Sequence, residues 1–134
     1  MPRRLEPADP REWINRAKSN LFHGESRVDG VYLEDLCFDA QQAAEKAIKA
    51  VLLFRKIRFP YAHDVQVLLS ALQGAGYEVP SEIWEAVTLT PFAVQTRYPS
   101  AAREVTEDQY TAALQVADAV VAWAARTVNA TSQA

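Results

Sequence analysis

The chain has 134 residues, 49% hydrophobic and 23% charged, with a formal net charge of −3, which fits one domain with a genuine core and argues against a general polyanion binder. A single cysteine, Cys37, excludes an intrachain disulfide and a cysteine-built zinc site. No apolar run approaches a membrane span, and acidic residues follow Met1-Pro2-Arg3-Arg4 where a signal peptide would have its apolar core, so the expected compartment is cytoplasmic.

Residues 1–9 read as a flexible tail. Asp9-Pro10-Arg11-Glu12 is then a strong helix start: Asp9 suits the N-cap, Pro10 the first helical position, and Glu12 can close a capping box back onto Asp9. Trp13, Ile14, Ala17, Leu21 and Phe22 follow at helical spacing and carry the first helix to about Ser26. Arg27 to Gly30 makes the turn.

The second helix, expected from about Val31 to Lys56, organises the rest. Ala40, Ala43, Ala44, Ala47 and Ala50 form a seam of small side chains, widened by Leu36, Cys37, Ile48, Val51 and Leu52. Alanine spends no side-chain entropy on becoming helical, and such a seam lets neighbouring helices come close. Gln42, Glu45, Lys46 and Lys49 fall elsewhere on the helix. Glu45 precedes Lys49 by four residues, the favourable order for an ion pair, worth about 0.2–0.5 kcal/mol on a solvated face. Arg55, Lys56 and Arg58 complement the macrodipole at the C-terminal end, and Pro60 stops the helix.

Asp64 caps a shorter helix with Val65, Leu68, Leu69 and Leu72 inward, ended by Gly74 and Gly76. Pro80-Ser81-Glu82 starts another, with Ile83, Trp84, Val87 and Leu89 inward and Pro91 disturbing it. Thr96 to Ser100 reads as an ordered loop, because Tyr98 precedes a proline. Thr106-Glu107-Asp108-Gln109 is a second capping box, opening a last helix with Tyr110, Ala113, Leu114, Ala117, Val120, Val121, Ala124 and Val128 on one face. Residues 129–134 should fray. There is no internal repeat and no convincing strand. The expected fold is all-α, an up-and-down four-helix bundle core with an additional short helix, about five helices, in a single domain over residues 10–128.

An amphipathic first helix with the early Trp13, the string FDAQQAAEKAIKAVLL over 38–53, Pro60-Tyr61-Ala62-His63-Asp64 before the third helix and Thr96-Arg97-Tyr98-Pro99 before the last together resemble the HEPN domain, the higher-eukaryote and prokaryote nucleotide-binding family. The resemblance covers about residues 10–128. It implies a homodimer, often encoded beside a minimal nucleotidyltransferase and in some cases part of a toxin–antitoxin pair. Some members of that family are metal-independent ribonucleases; others are noncatalytic partners or nucleotide-binding modules.

Arg97 and Tyr98 are the leading ligand-binding candidates. A guanidinium offers a planar fork of donors to phosphate, and a tyrosine held before a proline can stack on a base; the plain alternative is a structural loop. Arg103 is close enough in sequence to add charge. Lys46, Lys49 and Lys56 share a side of the second helix and could meet a phosphate backbone, or simply form a solvated face.

His63 is the catalytic candidate, with Arg58 in an R-x4-H string like that of the ribonuclease branch, where Arg would stabilise charge while His moves protons. In that branch the string begins near the later helices, whereas here it follows the second. The plain reading of His63 is a loop-fixing hydrogen bond. His23 reads as a surface residue near a helix end, and Cys37 as a buried inert thiol. Asp35 and Asp39 are an i, i+4 carboxylate pair with no further ligand string, so no metal site and no cofactor is expected. Trp123, off the seam of the last helix, leaves apolar surface for a dimer contact.

Overall fold

The computed structural model describes residues 4–59, 61–93 and 104–130. Among them lie four α-helices, α1 (Pro10–Glu25), α2 (Leu33–Phe54), α3 (Val65–Gly74) and α4 (Glu107–Asn129), with a 3-10 helix (Ile83–Ala93) between the last two and no strand. The fold is all-α, as expected. The end of α1 meets the start of α2 through His23 and Asp39, and the start of α4 through the Tyr110 hydroxyl, which donates to the Gly24 carbonyl at 2.7 Å. So α1 runs opposite to both α2 and α4, the up-and-down pattern. The short α3 and the 3-10 helix share the remaining position.

The alanine seam of α2 is the centre of the core: Ala40, Ala43, Ala44, Ala47 and Ala50 are fully buried, with Ala17 of α1 and Ala117 and Ala124 of α4 also at 0% exposure. Gly24 lets the end of α1 pack close against α2, since a Cβ there would stand 3.2 Å from the Leu36 carbonyl oxygen.

Several helix ends differ from expectation for identifiable reasons. Asp9 caps α1 by accepting from the Arg11 amide, but Glu12 does not close the box. Its carboxylate accepts instead from the Leu5 amide at 2.9 Å and from Arg16 Nε at 2.9 Å. Trp13 Nε1 donates to the Pro7 carbonyl, so the segment before α1, expected as a loose tail, is tied down from Leu5 onward. Phe22, expected inward, is 65% exposed.

Helix α2 ends at Phe54, before the basic run. Lys56 adopts φ 59°, the Lys56 amide donates to the Leu53 carbonyl and the Ile57 amide to the Leu52 carbonyl. That is a Schellman ending with lysine where glycine is usual, so the local turn and not Pro60 stops the helix. The segment after Pro80 is 3-10 instead of α. Its Val87-Thr88 pair is β-branched, Thr88 Oγ1 donates back to the Glu85 carbonyl, and Pro91 lacks an amide hydrogen. Asp64 caps α3, and Thr106 and Gln109 form the expected capping box on α4. Trp123 is half-buried against the core and is not the apolar projection its position suggests.

Candidate functional site

The polar face of α2 is not a solvated stripe. Asp39, Gln41, Glu45 and Lys49 are all buried, covered by α1 on one side and by the segment after α2 on the other. Each is accommodated because it is hydrogen-bonded, as burial of charge requires, and among the described residues no buried side-chain nitrogen or oxygen lacks a partner.

One cluster centres on Glu45. Its Oε2 accepts from Lys49 Nζ at 3.0 Å. Its Oε1 accepts from Gln41 Nε2 at 3.1 Å and faces His63 Nδ1 at 3.0 Å. A carboxylate only accepts, so Nδ1 carries the ring proton and Nε2 is left outward on a side chain that is 58% exposed. Gln41 Nε2 also reaches the His63 carbonyl at 3.4 Å, and Gln42 Nε2 donates to Gln41 Oε1 at 2.7 Å. The rings of Phe59 and Tyr61 each lie 5.9 Å from Lys49 Nζ, partly screening the ammonium from water. Tyr61 itself is 97% exposed, edge-on to the His63 ring.

The second cluster joins α1 to α2 through Asp39. Its Oδ2 faces His23 Nδ1 at 2.6 Å and its Oδ1 accepts from Asn20 Nδ2 at 3.1 Å. Asn20 Oδ1 in turn accepts from Lys46 Nζ at 2.7 Å. Burial is the main cause that holds the Lys46 amine below the ordinary lysine value; Glu45 opposes this, Arg16 adds to it, and Asp39 and Lys49 act against and with it in turn. Burial also pushes the Cys37 thiol up to about 11, in keeping with an inert core cysteine.

The lysines expected as one stripe therefore have three separate fates. Lys49 is neutralised by Glu45, Lys46 is half-buried against Asn20, and Lys56 lies beyond the helix end. Arg58 is exposed, and no hydrogen bond or ion pair to it is present among the described residues. Asp35 is exposed while Asp39 is committed to His23 and Asn20, and no group of three metal-ligating side chains occurs among the described residues. Arg97, Tyr98 and Arg103 lie outside the described residues. Sequence reasoning misses the partnering of His23 with Asp39 and the roles of Asn20 and Gln41. The available signal is the surplus of complementary polar types on α2, which periodicity alone assigns to solvent.

A HEPN domain family model matches residues 10–128. The chain belongs to the HEPN family. Two solved structures resemble this HEPN chain over nearly its whole length. TT1696 from Thermus thermophilus is 30% identical, with a TM-score of 0.77 covering 90% of this chain and 98% of that one. ST0689, described as an archaeal HEPN homologue, is 27% identical, with a TM-score of 0.71 covering 89% and 97%. No curated protein matches this HEPN chain. No helix among its described residues is long and apolar enough to cross a membrane.

Proposed function

We propose that this HEPN chain is a nucleotide- or RNA-phosphate-binding module that acts as a cytoplasmic homodimer with a separately encoded minimal nucleotidyltransferase, as one component of a toxin–antitoxin pair. The observation that supports the binding role is the built polar face of α2, where Lys46 presents a half-buried ammonium with no ion pair among the described residues. Arg97, Tyr98 and Arg103 complete the contact set on sequence grounds, with Arg97 gripping phosphate and Tyr98 stacking on a base. Lys49 serves the site indirectly, by holding Glu45. The resemblance to the nucleotidyltransferase-paired branch supports the choice of partner.

Thermal melting across a panel of nucleotides and short RNAs tests this, because a ligand that binds only the folded state raises Tm by mass action. A ligand-dependent rise that is lost in Arg97→Ala is expected. An unchanged Tm across the panel would point to a structural dimerisation module without a ligand.

One observation favours a second reading, a metal-independent ribonuclease using His63 with Arg58 or Arg97. The buried Glu45 carboxylate orients His63 and leaves Nε2 outward, an arrangement suited to proton transfer. RNA cleavage in EDTA that disappears in His63→Ala would establish it, and intact RNA at high protein concentration would dismiss it.

A further inference from the structure

The two charge clusters of α2 are not equivalent. Glu45 and Lys49 neutralise each other at 3.0 Å, and Asp39 faces the His23 ring at 2.6 Å. Lys46, between them on the helix, has only the neutral Asn20 amide oxygen as a partner among the described residues. An ammonium has three donors, so Lys46 retains two that are partly removed from water and not in contact with a carboxylate among the described residues, the Glu45 and Asp39 charges acting on it only from a distance. Asn20 is fixed from its other end by Asp39, which is fixed by His23, so the Lys46–Asn20–Asp39–His23 chain holds the amine in one place. Arg16, one α1 turn before Asn20, engages Glu12 through Nε, and no contact to its terminal nitrogens is present among the described residues. His23 Nε2 is likewise unpartnered among the described residues, on a side chain that is 73% exposed.

We infer that the polar edge where α1 meets α2 is an anion subsite that takes a phosphate group at Lys46 Nζ. Asn20 orients the ammonium, and the terminal nitrogens of Arg16 supply further donors at the rim. This rests on the phosphate-binding reading above and adds a place for it, built by α1 and independent of the segment that carries Arg97. The ligand chemistry is a phosphate oxygen, borne either by an RNA phosphodiester or by a nucleotide's terminal phosphate. Of the two carboxylates near the site, Asp39 is hydrogen-bonded to His23 and Asn20 and Glu45 is paired with Lys49.

The test is fluorescence anisotropy with a labelled single-stranded RNA over a salt series, with ATP and inorganic pyrophosphate as competitors. Lys46→Gln should weaken RNA binding about tenfold or more, the usual weight of a hydrogen bond to a charged group. It should also lower the slope of log K against log salt by about 0.7, the value of one phosphate contact on a single strand. Lys46→Arg should recover the slope. Lys18→Gln, which removes the same charge from an exposed site on α1, should leave the affinity within about twofold of wild type. Competition by ATP and pyrophosphate assigns the subsite to a terminal phosphate; failure of both to compete assigns it to the RNA backbone. If wild type binds and Lys46→Gln behaves like Lys18→Gln, the subsite is wrong while phosphate binding stands. If wild type binds none of the three probes, both fall.

A second measurement avoids any effect of substitution on folding. In the wild-type protein, acetylation of Lys46 by acetic anhydride, read by peptide mass spectrometry, should slow severalfold in saturating single-stranded RNA while that of Lys18 does not. Equal rates with and without the RNA would overturn the assignment.

Discussion

Replacing Glu45 by alanine puts the reading of α2's polar face at risk most directly. The side chain of Glu45 is 4% exposed and that of Lys49 8%, and they are 3.0 Å apart. Were the pair solvated, its loss would cost a few tenths of a kcal/mol. Buried as it is, Glu45→Ala strands the Lys49 ammonium and removes the acceptor of Gln41 and His63, a loss of about 3–5 kcal/mol by the usual cost of breaking a buried pair. Unfolding entropy of about 2.1 cal/mol/K per residue, over 134 residues, converts that into a Tm drop of roughly 11–18 °C. Calorimetry and urea unfolding read it independently. The pair replacement Glu45→Leu with Lys49→Met should recover about half the loss or more, because apolar groups of similar volume leave no stranded charge. A Glu45→Ala protein within about 1 kcal/mol of wild type would show the pair to be solvated and refute the reasoning.

Three further outcomes follow from the backbone and the core. Lys56→Gly should stabilise the protein by about 1 kcal/mol in urea unfolding, since φ 59° suits glycine and costs a lysine about 1–2 kcal/mol, part of which glycine's greater unfolded entropy returns; a destabilised variant would mean that this ending is not the populated one. Gly24→Val should lose about 1–3 kcal/mol by the same assay, because even its Cβ meets the Leu36 oxygen at 3.2 Å and Asp39 Cβ at 3.4 Å. Cys37, 0% exposed with its thiol raised to about 11, should resist a disulfide reagent at pH 8 in the native state and react promptly in guanidinium; fast native labelling would place it at the surface.

The helices are legible in the sequence because their signals are local. Asp64 and Thr106 cap where their side chains reach the next amides, and the alanine seam of α2 marks the face on which α1 and α4 converge. Two ends escape sequence reasoning for local reasons too weak to see there: Lys56 adopting a left-handed conformation, and Thr88 competing for the Glu85 carbonyl. The polar face escapes it for a non-local reason. Periodicity separates Glu45, Lys46 and Lys49 from the alanines, but whether water or protein covers them depends on α1 and on Phe59 to His63, which periodicity does not position. His23 shows the same limit. Its partner Asp39 is sixteen residues away and becomes a neighbour only when α1 and α2 pack side by side.

The binding account is tested most directly by adding the protein to labelled single-stranded RNA in EDTA and following anisotropy and RNA length on the same sample. Saturable binding with the RNA left full-length is the predicted result. Absence of binding at high protein concentration, or shortening of the RNA that is lost in His63→Ala, would contradict it.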